Sequence, residues 1–394
     1  MITRFHIENF KSLVNFDLPP AGHCLSQFIC LIGLNGSGKS TLLQALDFAA
    51  HIATGKVEDW LAQRNWKPTD VVTNLAKRTS VVSLEMRFRD HNGAEATWQA
   101  RYNASQLRCT FEKVVSGGRT LLELEAERLA LAGADGELKR GEEKLNLVYR
   151  GSVLSILQLN DAHPLLSVVK ESLRQLKSLV LLAPQLLRKR AYEAKDIGVG
   201  GEKLSAFLAG LASEKKAALL SALQKFYPRL ENWRVKSLQS GWKDLRVEET
   251  YQGRHTVRAT HMNDGLLRIM AILAQAHSPH TFLLFDEIEN GVNPELVEKL
   301  VDFLIHCGKQ VVVTTHSPMI LNYIPDDVAR EGVIMLYKTE RGETRSARFF
   351  DSPAMQQKLR ALGPGEVFAD TRLSELAKEL EEQGNGQLVP MSHP

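Results

Sequence analysis

A chain of 394 residues that is 44% hydrophobic and 24% charged has the make-up of a globular protein, long enough for one large domain with an insertion or for two to three smaller ones. A net charge of +3 is too mild to mark a dedicated nucleic-acid binder, although the distribution of charge matters more than its sum. No stretch reaches the ~18–20 apolar residues that would span a bilayer, and the N-terminus MITRFHIENFKS is too polar for a signal peptide, so a membrane transporter in one chain is not expected.

Residues 2–10 (ITRFHIENF) alternate enough for a strand, as does FICLIG at 28–33. Residues 41–54 (TLLQALDFAAHIAT) carry apolar side chains at helical spacing. Residues 79–115 read as a β meander, with a turn at HNG (91–93) between SVVSLEMRFRD and ATWQARYNA. Residues 116–150 are polar, with GG at 117–118 and GADGE at 133–137, and are expected to be loops or hairpin tips. A helical pattern runs from 164 to 178, KSLVLLAP (177–184) reads as a strand or buried turn, and 203–227 as one or two amphipathic helices. RVEETYQGRHTVRA (246–259) reads as a hairpin around Gln252 and Gly253. A helix (264–277), a strand (281–286), a helix (294–307), a strand (310–314) and a short helix (317–323) follow, the alternation of a mostly parallel sheet with helices on its faces. TRLSELAKELEEQ (371–383) closes the chain as a helix before a polar tail, and no heptad pattern is sustained enough for a long coiled coil. The four cysteines, Cys24, Cys30, Cys109 and Cys307, lack metal-ligand spacing and read as free thiols in a reducing compartment, the cytoplasm; the twelve histidines form no HExxH pattern.

Residues 33–41, GLNGSGKST, fit the phosphate-binding pattern G-x-x-x-x-G-K-[ST] between a strand and a helix. Gly33, Asn35, Gly36, Ser37, Gly38, Lys39, Ser40 and Thr41 are therefore expected to hold a nucleoside triphosphate. The glycines let successive N–H groups turn inward on an anion, and the helix start adds its positive dipole end. Lys39 would reach the β- and γ-phosphates, and the Ser40 hydroxyl would hold Mg²⁺. TFLLFDE (281–287) is an apolar strand that delivers Asp286 and Glu287 to the same sheet edge, Asp286 to position Mg²⁺ through water and Glu287 to act as general base. VVVTTHSPMI (311–320) brings His316 there, where it can hydrogen-bond the γ-phosphate. In HMNDGLLRIMAIL (261–273), Asn263, Asp264 and Gly265 begin a helix; they are either an ordinary N-cap or a helix start facing a second molecule's phosphate. IENGVNPEL (288–296) forms a turn with Pro294 at a first helical position.

In this order the motifs resemble the ATP-binding-cassette ATPase heads of the SMC and RecF class: GLNGSGKST the Walker A loop, LLFDE the Walker B strand, ENGVNP the D-loop, TTHSP the switch histidine and HMNDG the signature. IENFKS is similar to the first strand of such heads, which would put Lys11 and Ser12 near the nucleotide. The stretch 180–211 resembles compact bacterial ATPases without coiled coils, among them the ATPase parts of overcoming-lysogenization-defect nucleases and of anti-phage operons. The resemblance implies an α/β P-loop NTPase with an ABC-ATPase head, a mixed β sheet flanked by helices plus an inserted β and helical subdomain. Its parts would be an N-terminal lobe (1–90), an inserted meander and helical subdomain (91–255), a C-terminal lobe (256–350) and a C-terminal helix and tail (351–394). It further implies an Mg²⁺-dependent ATPase that forms a homodimer or higher homo-oligomer around sandwiched ATP and regulates a separate effector protein in anti-phage defence, with no membrane partner. Two positions depart from the pattern: Asn263 stands where the signature offers serine, and Asn293 where the D-loop carries histidine. Gln158 in LSILQLN is the candidate Q-loop glutamine. Glu366 and Asp370, in GPGEVFAD beyond His316, read as packing or docking residues, not a nuclease site. An alternative within the class is a RecF-like DNA-repair clamp, with nucleic acid as partner and Arg188, Lys189, Arg190 and Lys195 on its phosphates.

Overall fold

The computed structural model describes residues 1–76, 79–90, 93–133, 137–140, 148–158, 164–179 and 183–386. Residues 91–92 of the turn expected at 91–93, 134–136 of GADGE and 180–182 of 177–184 fall outside these residues. Strands are numbered along the chain. The central sheet has the order β10 (Leu176–Leu179), β14 (Phe282–Phe285), β15 (Gln310–Thr314), β3 (Phe28–Ile32), β16 (Val333–Lys338) and β17 (Thr344–Arg348). All neighbours are parallel except the β16–β17 hairpin.

Every residue of β3, β14 and β15 is buried, as a parallel sheet covered on both faces requires. The period-two alternation of a strand then divides its side chains between two cores. Phe28, Cys30 and Ile32, with Val311 and Val313, enter one cluster; Ile29 and Leu31, with Val312, enter the other. The first core is completed by the apolar stripes of helices Ser213–Phe226, Asp264–Gln275 and Pro294–His306, and the second by α1 (Lys39–Ala53) under the meander. Each fully buried Leu, Ile or Phe here contributes roughly 1.5–3 kcal/mol.

The meander is an antiparallel sheet of order β2 (Leu13–Leu18), β1 (Ile2–Phe10), β4 (Val81–Arg89), β5 (Glu95–Asn103), β6 (Arg108–Ser116), β7 (Arg119–Glu125), β8 (Arg128–Ala132) and β9 (Leu138–Arg140). Of the loops or hairpin tips expected over 116–150, GG at 117–118 is a hairpin tip between β6 and β7, but the loop expectation is corrected where β7, β8 and β9 extend the sheet. In β7, Leu122 and Leu124 point into the core while Arg119 and Glu125 face water, so its charges mark one solvated face and not a loop. The buried amide of Gln310 bolts this sheet to the central one, accepting from Ile2 N at 2.8 Å and donating to Ile2 O at 2.8 Å. A third, three-stranded antiparallel sheet comprises β11 (Leu230–Ser237), β12 (Lys243–Thr250) and β13 (Arg254–Arg258). Near the C-terminus Glu366 caps its own short helix by accepting from Gly363 N at 2.9 Å, and Asp370 pairs with Lys358 at 2.6 Å, local packing for both acids.

Candidate nucleotide site

The chain leaves β3 at Ile32 and enters α1 at Lys39, so the glycine-rich loop lies at the carboxyl edge of the central sheet. Gly33 and Gly38 have φ of +146° and +110°. A Cβ at Gly33 would collide with the Leu336 carbonyl of β16, and one at Gly38 with the Thr344 hydroxyl of β17, so backbone shape and close approach both demand glycine. The Lys39 ammonium folds over the loop and donates to Gly33 O at 2.8 Å and Leu34 O at 3.2 Å. Burial lowers its pKa, against the opposing pull of Asp286, Glu287 and Glu289. The Ser37 hydroxyl is buried and makes no hydrogen bond, whereas Asn35, Gly36 and Ser40 are exposed and Thr41 is half-buried.

The acids arrive from β14. Ser40 Oγ donates to Asp286 Oδ2 at 2.9 Å. Thr314 Oγ1, at the end of β15, donates to Asp286 Oδ1 at 2.5 Å and accepts from Glu287 N at 2.8 Å. One threonine therefore fixes both carboxylate-bearing residues. Glu287 sits in the left-handed region at φ +46°, a conformation that costs a non-glycine residue about 1 kcal/mol or more and clusters at functional sites. Glu289 Oε1 accepts from Thr315 Oγ1 at 2.8 Å and from His316 N at 3.0 Å, which holds the exposed His316 against the turn that follows Glu287. The other oxygen, Glu289 Oε2, is buried without a partner.

Geometry thus joins Ser40 directly to Asp286, and links Asp286 to Glu287 through Thr314. Asn263 caps helix Asp264–Gln275 by accepting from Leu266 N at 2.7 Å, and Asp264 pairs with Arg188. A Cβ at Gly265 would lie 3.1 Å from the Gly291 carbonyl and 3.3 Å from the Tyr227 hydroxyl, so the helix start at 263–265 lies close to the turn that carries Gly291. Asn293 is the N-cap of the helix that starts at Pro294, accepting from Glu295 N at 3.1 Å. Ser12 Oγ lies 2.9 Å from Thr344 Oγ1, which donates to Ser37 O at 3.0 Å and so supports the loop from beneath. Lys11 lies over the Trp66 ring, 3.3 Å from its centroid, donates to Gln44 Oε1 at 3.0 Å, and has its pKa lowered to about 8 by burial. Gln158 is exposed just after the turn Val153–Ser155, whose Ser152 N bonds Ile52 O at the far end of α1 from the loop. Sequence reasoning missed three residues here. Thr314 and Glu289 lie inside the motifs themselves, where a hydroxyl and an acid next to the expected site residues are a usable signal. Thr344 carries none.

The donor set suits a metal-bound triphosphate. The Ser40 hydroxyl and Asp286 carboxylate are hard oxygen ligands of the kind Mg²⁺ takes, and the partnerless Ser37 hydroxyl faces a loop shaped for an anion.

Comparison with known proteins agrees. A family model described as "AAA domain, putative AbiEii toxin, Type IV TA system" matches residues 135–322, and one described as "AAA domain" matches 4–190. The chain is similar in structure to an SMC head bound to the C-winged helix domain of ScpA, at TM-score 0.54 and 14% identity over 88% of this chain and 96% of that one. It is likewise similar to an Smc head domain with an extended coiled coil, bound to the C-terminal domain of ScpA, from Pyrococcus furiosus, at TM-score 0.53 and 13% identity over 91% and 99%. A biosynthetic peptidoglycan transglycosylase from Janthinobacterium sp. (strain Marseille) is 31% identical over 81 residues, 21% of this chain and 34% of that enzyme. The chain spans about a third of that relative's length, and the match assigns it none of that enzyme's activity. The fold is therefore that of an SMC head domain, and AAA-domain models match two overlapping stretches, each a little under half of the chain. Among the described residues no helix is long and apolar enough to cross a membrane.

Proposed function

We propose that this head is an ATP-driven switch: it binds ATP with Mg²⁺, closes on a second copy of itself, and controls a separate effector protein in cytoplasmic anti-phage defence. The observation that carries the reading is the hydrogen-bonded run Ser40–Asp286–Thr314–Glu287 beside the buried Lys39. In this reading the 33–41 loop wraps the phosphates, and Lys39 exchanges the Gly33 and Leu34 carbonyls for phosphate oxygens. Ser40 and Asp286 would hold Mg²⁺, which supplies charge neutralisation on the β- and γ-phosphates when bound. Glu287 orients the attacking water and takes its proton, a role commonly worth about 10²–10⁴-fold. His316, steadied through Glu289, senses the γ-phosphate. Asn263, Asp264 and Gly265 serve the partner copy's nucleotide, so each site is complete only in the dimer. Residues 1–90 and 256–350 would supply the two halves of the nucleotide face, 91–255 the inserted subdomain and 351–394 the closing segment.

Two findings support the biological part. One matched family model carries the name of a toxin–antitoxin component, and both similar SMC heads are described with a bound ScpA domain, a precedent for a separate protein docked on such a head. The test is the mass in solution of the Glu287→Gln protein with and without Mg²⁺ and ATP, by light scattering on a sizing column. A nucleotide-dependent shift from one chain to two is expected; an unchanged mass would remove the sandwich from the reading.

A further inference from the structure

The three-stranded sheet β11–β13 lies outside the nucleotide site. Its inner face is apolar: Trp233, Leu245 and Val247 are buried in the first core. Alternation then sends Asp244, Arg246 and Glu248 of β12 outward. The register sets three arginines directly opposite one another, Arg234 against Arg246 and Arg246 against Arg258. Like charges in directly opposed positions destabilise a sheet, and recessed acids offset two of the three here, Arg246 pairing with Asp244 and Arg234 with Glu248 at 3.1 Å each.

The segment around Ala191 continues this face. Ala191 pairs with Lys243 as an antiparallel bridge, with Lys243 N donating to Ala191 O at 2.9 Å. Arg190 accordingly reaches Asp244 at 3.1 Å, and the Tyr192 ring meets the Trp242 ring edge-on with centroids 6.4 Å apart. Both rings are largely exposed, Tyr192 at 59% and Trp242 at 47%, and they line a cleft of about 810 Å³ together with Lys189, Lys203, Glu193 and Glu202. The two acids of the face are recessed, with side chains 6% (Asp244) and 11% (Glu248) exposed, whereas Arg190 is 49% and Arg234 64% exposed. Solvent therefore meets guanidinium groups and aromatic rings. The strands of this sheet carry six basic and four acidic residues, an excess of two positive charges, and Arg190 adds a further cation beside Asp244.

We propose that this face binds single-stranded nucleic acid, the arginine row taking the phosphates and the Tyr192–Trp242 pair stacking unpaired bases. Cationic side chains beside exposed aromatic rings are the combination that suits such strands, because every base has a π-face and a duplex hides its own. The site is independent of the nucleotide chemistry proposed above.

Fluorescence anisotropy with a labelled oligothymidylate of about 15 nucleotides tests it, with Mg²⁺-ATP binding measured on each variant to register folding and the nucleotide site separately. The intact protein is expected to bind the oligonucleotide more weakly as salt rises. Trp242→Ala is expected to weaken binding roughly 5- to 100-fold. Arg258→Ala, on an edge strand where no fold is at stake, is expected to lower the slope of log affinity against log salt by about one. ATP binding should stay unchanged in both. Failure to bind at low salt, equal or tighter binding of a duplex of the same sequence, wild-type affinity in the Arg258→Ala protein, or binding to phosphatidylserine vesicles in place of the oligonucleotide would each overturn the proposal.

Discussion

At the carboxyl edge of the central sheet, Asp286, Glu287 and Glu289 are only partly buried, and one oxygen of Glu289 and the hydroxyl of Ser37 have no partner at all. In the meander, by contrast, Glu112 of β6 is fully buried and takes Trp98 Nε1 at 3.2 Å, Ser152 Oγ at 2.6 Å and Val153 N at 2.6 Å. Burial still pushes its pKa up to about 7. The same chain thus saturates one carboxylate with its own donors and leaves others with open valences. A saturated buried acid locks two elements together, here β6 and the Gly151–Ser155 segment that meets the end of α1. An unsaturated cluster beside a glycine loop is shaped for something the chain does not itself supply.

The largest effect that would sharpen this contrast is at the unsaturated end. Glu287→Gln should lower steady-state ATP hydrolysis by about 10²–10⁴-fold while leaving ATP affinity within a few-fold. A phosphate-release assay beside a binding titration reads both, and normal turnover would strip Glu287 of its role. At the saturated end, Glu112→Ala should cost about 3 kcal/mol in urea unfolding, because it leaves three buried donors unpaired. The pH dependence there has a definite sign. A raised carboxyl pKa means that folded Glu112 keeps its proton between about pH 4.5 and 7 where the unfolded chain has lost it, so stability falls as pH rises through that window. The fall attributable to this group is on the order of 3 kcal/mol, and it should appear as a pH-dependent difference between wild type and Glu112→Gln, which lacks the titrating group. A pH-independent difference would contradict it. Smallest is Thr344→Val, which removes the hydroxyl between Ser12 and the Ser37 carbonyl. A loss of about 1 kcal/mol in stability with a modest rise in the Kd for ATP is expected, since this residue only props the loop.

The nucleotide edge is largely legible in the amino-acid sequence. FICLI, FLLF and the VVV of QVVVT are unbroken apolar runs, as strands of a doubly covered parallel sheet require, and each leads into the polar residues it delivers. The meander beyond Ser116 is not, because β7 carries its two buried leucines among arginine and glutamate, and half-solvated strands of that composition read as loops. The hairpin β16–β17 hides its strand Thr344–Arg348, polar but for one alanine, which owes its pairing to β16 rather than to its own pattern. Thr344 is invisible for that reason, and Glu112 because nothing local shows that a strand's glutamate will face inward. The arginine row emerges only from the register, since Arg234, Arg246 and Arg258 are twelve residues apart in each step and look solvated one by one.

The most direct measurement is isothermal titration of Mg²⁺-ATP into the wild-type protein and into Lys39→Ala. Convergence of Lys39 with Asp286 and Glu287 on one triphosphate requires a single site per chain in the wild type and a loss of binding of at least about 100-fold in the variant, close to 3 kcal/mol. Equal affinity in the two proteins would contradict it.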